Sequence, residues 1–276
     1  MIALAGYSGF IGSNIYARAR NRIEGVFNTQ NIEKAYGLEP DVLIYAGMRH
    51  DRQLAQKAPY EDYELVLDAQ KTIQRIHPNR LVLISTTEVY ENPVGVDEEN
   101  SVFAVGSGRS GKNGLMPYGL NRYYFEEWVR KNYPGSLIVR LAVPYGLNPR
   151  RNYIQDIVNL KIGHTDPKST YQFYPLSRLW EDIQTALIEK LTLVNMTSEP
   201  ICVSELYQCI TGNKLPSAQH QPLSKSERSK NVFDPGLQNR NVMTIHAQTF
   251  GGTGNYVCSK REILGNIRQY IDKGLV

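Results

Sequence analysis

The sequence predicts an α/β fold built on a parallel sheet, and three observations carry that expectation. Short runs that are apolar on both faces alternate with stretches of helical periodicity, the pattern of strands crossed over by helices. A glycine turn, Gly6-Tyr-Ser-Gly9-Phe-Ile-Gly12, follows the first apolar run directly and opens the first helix. After Gly146 the runs weaken and the loops lengthen. The 276 residues are 41% apolar and 21% charged, enough for one large core or two modest ones. We therefore expect a first domain over residues 1–146 and a smaller, mixed α/β region over 147–276, with about 178–197 packing back on the first.

The elements follow in order. Ile2-Ala-Leu-Ala5 is a buried strand closed by Gly6. Ile11, Ile15 and Ala19 then recur at helical spacing. Gly25-Val-Phe27 reads as a second strand, and Asp41-Val-Leu-Ile-Tyr45, set up by Pro40, as a third. The span between Phe27 and Asp41 is too short for a full helix and an extra strand, so that side of the sheet is abbreviated. Residues 65–76 are helical in pattern, and Leu81-Val-Leu-Ile84 is the most regular strand. Residues 123–131 form a helix that ends near Pro134-Gly135, and Leu137-Ile-Val-Arg140 is a further strand. Residues 219–241 are polar and read as a mobile loop.

Composition excludes several classes. Lys and Arg total 31 against 27 Asp and Glu, a net charge of +4. So small and scattered an excess does not make a dedicated nucleic-acid binder, though it suits an anionic small molecule. Three cysteines, Cys202, Cys209 and Cys258, form neither a disulfide framework nor a paired metal-ligand spacing. No metal is expected, and a reducing, cytoplasmic setting is. No apolar run approaches the ~18–20 residues of a membrane span. The apolar start lacks a basic segment and is broken by glycines, so it reads as buried structure, not a signal peptide.

The glycine turn has a specific chemistry. One glycine makes the tight turn, a second lets backbone N–H groups approach a pyrophosphate, and a third lets helix and sheet pack closely. The helix N-terminus then faces the anion. An acidic residue normally follows at the second strand tip to bind the ribose of NAD. Here that place holds Asn28-Thr29-Gln30. No carboxylate repels a 2′-phosphate, and no arginine grips one, so NAD or NADP is expected, with the balance toward NADP.

A second constellation lies farther on. Ser85-Thr86-Thr87-Glu88 puts hydroxyls at the C-terminal tip of a parallel strand, where ligands bind in open α/β sheets. Tyr118 and Arg122 stand one helical turn apart. A phenol of pKa near 10 is a poor base at neutral pH. A fixed cation one turn away is expected to favour phenolate and draw that pKa down. Phenol, hydroxyl and cation beside a nicotinamide suit hydride transfer.

Taken together, Gly6-x-x-Gly9-x-x-Gly12, Ser85-Thr86-Thr87-Glu88-Val89-Tyr90 and Tyr118-Gly-x-x-Arg122 followed by Glu126 resemble the extended short-chain dehydrogenase/reductases. More narrowly, they are similar to the NAD-dependent epimerase/dehydratase group that acts on nucleotide-activated sugars. Arg140-Leu-Ala-Val-Pro-Tyr145-Gly146, Trp180-Glu-Asp182-Ile183 and Val203-Ser-Glu205-Leu206 continue the resemblance in order along the chain. It implies a Rossmann-type doubly wound parallel sheet. It implies Thr86 as the active-site hydroxyl, Tyr118 as acid/base and Arg122 in the family's lysine position. The cofactor would be held by Gly6, Gly9, Phe10, Ile11 and Gly12, by Asn28 and Thr29, by Ala46 and Gly47, and by Tyr118 and Arg122. Thr87, Glu88, Arg150 and Arg151 would face a nucleotide-sugar substrate. A membrane partner is not implied, and a homodimer is compatible.

The departures are informative. Arg122 keeps a lysine's charge but not its shape, so it either serves in that place or marks a weakened or lost activity. Val143 stands where sugar epimerases often carry Asn, and Thr87 replaces the acid of a dehydratase. Pro175-Leu-Ser177 replaces an R-D-F run. The short first half looks more like the 4-keto-sugar reductases. A cofactor-binding protein without turnover is the competing class. Gly106-Ser-Gly-Arg-Ser-Gly111-Lys112-Asn113 nearly spells a phosphate-binding loop but ends without the Mg²⁺-binding hydroxyl. It reads instead as a loop whose Arg109 and Lys112 either meet substrate phosphates or stay solvated. Arg49 and His50 follow the third strand tip, facing either the ligand or solvent. Cys202 and Cys209 read as small packed hydrophobes.

Overall fold

The computed structural model describes residues 1–100, 102, 117–148, 153–159, 166–215 and 238–273. Its centre is a six-stranded parallel sheet. The strands are β1 (Ile2–Ala5), β2 (Gly25–Phe27), β3 (Val42–Tyr45), β4 (Arg80–Thr86), β6 (Leu137–Leu141) and β10 (Leu193–Met196). Their order is β2-β1-β3-β4-β6-β10. The chain moves outward from β1 to β2, then returns to the other side of β1 as β3. The sheet therefore reverses direction between β1 and β3, which opens a crevice at the strand tips. Register aligns those tips: Ala5 lies opposite both Phe27 and Tyr45.

Each strand serves two cores, as its apolar-on-both-faces sequence requires. Leu4, Ile44, Val82 and Val139 point to one side, where they meet helix α1 (Phe10–Ala19) through Ile15 and α6 (Leu179–Ile188) through Ile183. Ala3, Leu43, Leu81 and Leu83 point to the other side. There they meet α3 (Pro59–Ile76) through Val66 and Ile73, and α4 (Pro117–Asn132) through Phe125 and Val129. Burying each of the Val, Leu, Ile and Phe side chains among them is worth about 1.5–3 kcal/mol.

Several boundaries differ from expectation for identifiable reasons. Helix α3 starts at Pro59, six residues before its apolar rhythm begins, because its first turn is set by a proline with Glu61 and Asp62. Helix α4 likewise starts at Pro117, not Tyr123. Between β2 and β3 there is only a single 3₁₀ turn, Ile32–Ala35, as the short span required.

Beyond β6, strand β7 (Val143–Tyr145) pairs with β9 (Phe173–Pro175). A two-residue β8 (Thr170–Tyr171) pairs with β11 (Ile201–Cys202). Among the described residues, helices α5 (Tyr153–Val158), α7 (Val203–Thr211) and α8 (Lys260–Asp272) also belong to this part, while α6 and β10 return to the main sheet. Asn241 is not loop: Asn241–Val242 forms β12, parallel to β5 (Val94–Val96). Burial of Val242 and a bond from the Tyr256 hydroxyl to Asn241 Oδ1 (2.6 Å) hold it there. Residues 219–237 lie outside the described residues. Cys202 is more than packing, since it and Glu205 cap the start of α7 reciprocally. Among the described residues no helix is long and apolar enough to cross a membrane.

Candidate active site

The glycine turn folds onto the aligned tips of β1, β2 and β3. Gly6 has φ +87°, and a Cβ there would lie 2.6 Å from the Ala46 carbonyl carbon and 2.7 Å from Gly47 Cα. Its N–H donates to Phe27 O at 2.7 Å. At Gly12, on the first turn of α1, a Cβ would run into Gly6 O at 2.1 Å. These two glycines make the turn and the close packing. Gly9 is different: a Cβ there would meet only Gly6 O, at 3.2 Å, so its outer side is open. It is the N-cap of α1, with no side-chain cap and no acidic residue in the first turn. The leading N–H groups of Phe10, Ile11 and Gly12 thus form an uncapped positive helix end.

Asn14 fixes this helix to the second region. Its Nδ2 donates to Phe10 O and Leu147 O, both at 2.8 Å, and its Oδ1 accepts from Leu147 N at 2.7 Å. Sequence reasoning missed it. The available signal was a polar residue beside Ile15 on the buried stripe of α1. At the β2 tip, Asn28 Oδ1 accepts from Gln30 N at 2.9 Å and its Nδ2 reaches Ser8 Oγ at 3.3 Å. Thr29 is exposed. Asn28 therefore ties this edge to the glycine turn.

At the β4 tip, Thr86 Oγ1 accepts from Glu88 N at 3.2 Å, shaping a 3₁₀ turn over Thr87–Val89. Thr86 and Thr87 are partly exposed. Glu88, expected to face substrate, is paired with Arg52 Nε at 3.1 Å, on α2 (Arg52–Lys57). One residue before the tip, Ser85 Oγ donates to Glu126 Oε1 at 2.5 Å and so binds strand to α4.

Tyr118, on the first turn of α4, is buried. Its hydroxyl lies 2.7 Å from His50 Nδ1, with the two rings edge to face. Arg122 lies over the phenol ring, its guanidinium carbon 4.4 Å from the centroid. Here the structure corrects the sequence expectation. Burial pushes the Tyr118 hydroxyl up to about 12, and Arg122 only opposes that rise. Arg122 is itself held by a carboxylate. Its Nη1 and Nη2 donate to Asp62 Oδ2 and Oδ1, each at 3.0 Å, and Nη2 also donates to Arg49 O at 2.9 Å. Asn121 Nδ2 donates to the same carboxylate at 2.9 Å. Asp62 was not singled out in the sequence, and His50 was one of two open candidates. The structure thus brings Tyr118, Arg122, His50 and Asp62 into one network and sets Thr86 at the tip of the strand against which α4 packs. Arg150 and Arg151 lie outside the described residues, as does the 106–113 segment with Arg109 and Lys112.

No protein-family model and no curated protein sequence matches the chain. Solved structures do. UDP-glucose 4-epimerase from Thermotoga maritima, with UDP-glucose, matches with a TM-score of 0.69 at 15% identity, over 100% of this chain and 99% of that one. UDP-glucose 4-epimerase from Thermus thermophilus, in complex with NAD, matches at 0.68 and 15%, over 100% and 99%. The dTDP-4-dehydrorhamnose reductase of Bacillus anthracis, in complex with NADP, matches at 0.70 and 14%, over 99% and 97%. The chain therefore has their fold from end to end, and the expected doubly wound parallel α/β architecture is borne out.

Proposed function

We propose that the protein is an NAD(P)-dependent enzyme that transfers hydride to or from a sugar carbon of a nucleotide-activated sugar, with Tyr118 as acid/base. The observation that carries this reading is the open side of Gly9 at the uncapped start of α1, set at the crevice where the sheet reverses. That cradle fits a pyrophosphate by volume and by charge. A bound nicotinamide dinucleotide would supply the hydride chemistry. Gly6, Gly9, Phe10, Ile11 and Gly12 would hold its phosphates, Ala46 and Gly47 would border it, and Asn28 and Thr29 would meet its ribose. Thr86 would hydrogen-bond the reacting sugar oxygen while Tyr118 moves its proton. In this reading residues 1–146 bind the dinucleotide and 147–276 mainly the sugar nucleotide, with Arg150 and Arg151 toward its diphosphate. The setting is cytoplasmic.

Between the two reactions, 4-keto-sugar reduction is favoured over 4-epimerisation. An epimerase retains its cofactor through a full cycle, whereas a reductase exchanges it at each turnover. The lone 3₁₀ turn between β2 and β3 and the missing acid at Asn28 suit an exchangeable cofactor, with NADPH allowed. Protein purified and then denatured should release no stoichiometric dinucleotide; stoichiometric NAD would favour the epimerase. Gly9→Asp should weaken NADH and NADPH binding at least ~10-fold, because a carboxylate there repels the pyrophosphate and fills its place. Wild type that binds neither cofactor at millimolar levels would refute the reading. The second reading, a dinucleotide-binding protein without turnover, is favoured by one observation: the Arg122 charge is matched by Asp62 instead of being left for the phenol.

A further inference from the structure

We propose that His50 is a positioning residue that carries protons between Tyr118 and solvent, while Arg122 and Asp62 form a clamp that holds the two rings in place. The proposal deepens the hydride-transfer reading above and rests on it. Four observations bear on it. First, the Tyr118 hydroxyl is buried, and its contact with His50 Nδ1 is short, at 2.7 Å. Second, His50 keeps solvent exposure, so the imidazole connects the buried phenol to water. Third, Arg122 is poorly suited to that task. A guanidinium does not release its proton in proteins, and this one lies over the phenol's face with both terminal nitrogens on Asp62.

Fourth, His50 is anchored from both sides. The residue before it gives its carbonyl to Arg122 Nη2. The residue after it, Asp51, caps α2 by accepting from Leu54 N at 2.8 Å and pairs with Arg49 at 3.1 Å. The Arg122–Asp62 pair thereby links α3, α4 and the segment after β3 into one frame around the phenol and the imidazole. The charged groups facing His50 are Asp51 and Arg52 on its own stretch, Glu88 beyond β4, and Arg122 on α4. Packing around the ring lowers the imidazole pKa even though the residue as a whole keeps solvent exposure; Arg52 and Arg122 add to this, and Glu88 and Asp51 oppose it. A neutral ring with one nitrogen on the phenol can both take and give a proton near neutral pH.

The steps balance for reduction. As hydride from the reduced nicotinamide reaches the carbonyl carbon, Tyr118 gives its proton to the carbonyl oxygen and the alcohol forms. The phenolate takes the proton on His50 Nδ1, and the ring's other nitrogen takes one from water. Sugar oxidation runs the same transfers backward, with the oxidised nicotinamide accepting the hydride.

The test pairs a spectroscopic readout with a kinetic one. The chain has five histidines, so ¹⁵N-histidine labelling with loss of one signal in His50→Gln assigns the His50 ring. Tyr118→Phe should then shift its tautomer ratio and its titration midpoint. An indifferent His50 signal would overturn the proposal. In His50→Ala, turnover of a keto-sugar nucleotide should fall about 100-fold, within the range of lost acid–base catalysis, with dinucleotide affinity kept. Added imidazole should restore much of it. No loss, or a loss that imidazole does not repair, would overturn the relay. Active wild type with an uncoupled His50 refutes the relay alone. Inactive wild type with intact coupling refutes both the relay and hydride transfer.

Discussion

Helix α4 holds two buried arginine–carboxylate pairs one turn apart: Arg122 with Asp62 on α3, and Glu126 with Arg140 on β6. They differ in how completely they are satisfied. Glu126 accepts from Ser85 Oγ at 2.5 Å, from Arg140 Nε at 3.1 Å and Nη2 at 2.6 Å, and from Arg130 Nη2 at 3.0 Å. Every partner is structural, and the Arg140 guanidinium also lies 4.8 Å from the Tyr90 ring centre. This pair joins β4, β6 and α4 into a strut. Arg122, by contrast, has an Nε without a partner among the described residues, and its flat face rests on Tyr118. Low dielectric strengthens both pairs, and both set a guanidinium over a phenol, but the Tyr90 hydroxyl is tied to Asp97 O and Asn195 whereas the Tyr118 hydroxyl meets His50. The lesson is that a basic residue one turn after a tyrosine fixes neither who neutralises it nor which atom of the phenol it meets.

The largest expected effects come from the two buried pairs, beginning with the strut. Arg140→Met leaves Glu126 buried against a single partly exposed cation, and should cost about 3–5 kcal/mol in denaturant unfolding. A cost under about 1 kcal/mol would show that Arg130 and Ser85 suffice, and the contrast would dissolve. Arg122→Met should cost a similar amount, again about 3–5 kcal/mol, because Asp62 loses its main partner. Adding Asp62→Leu should recover most of that stability, since a buried pair exchanged for apolar groups is often neutral. Turnover should stay depressed in the double variant, because the guanidinium over Tyr118 is still absent. Recovery of both would make this pair a second strut and nothing more.

An exposed pair supplies the lower bound. Lys260 reaches Glu205 at 2.9 Å near the start of α7, with both side chains well exposed. Glu205→Gln should cost only about 0.5 kcal/mol at neutral pH. Partial burial pushes the Glu205 carboxyl up, but bonds from Lys260 and Cys202 N outweigh it and hold the group below 4.5. Its contribution is therefore present above that pH and lost as pH falls through the lowered value. The difference between wild type and variant should vanish in acid.

What was legible in the sequence was local. The strand runs, the glycine turn and the Tyr118–Arg122 spacing depend on neighbours within a turn or two, and each appears where the residues placed it. The site's partners were not legible, because they are chosen by topology. Asp62 meets Arg122 across 60 residues of sequence, His50 meets Tyr118 across 68, and Asn14 reaches Leu147 across 133. Local spacing can place a side chain on a helix face, as it does Tyr118, Arg122 and Asn14, but it does not name the partner across the fold. The expectation for the Tyr118 pKa failed because it counted the nearby cation and could not see the burial of the ring, which is the larger effect.

The most direct test of the account is the initial rate of NADPH and NADH oxidation with 4-keto-sugar nucleotides, in wild type and Tyr118→Phe, with cofactor affinity measured alongside. Wild type should turn over with at least one such substrate. Tyr118→Phe should lose at least ~10²-fold in rate while binding the dinucleotide as wild type does. Undiminished turnover in Tyr118→Phe, or a wild type that binds cofactor but oxidises none with any substrate offered, would contradict it.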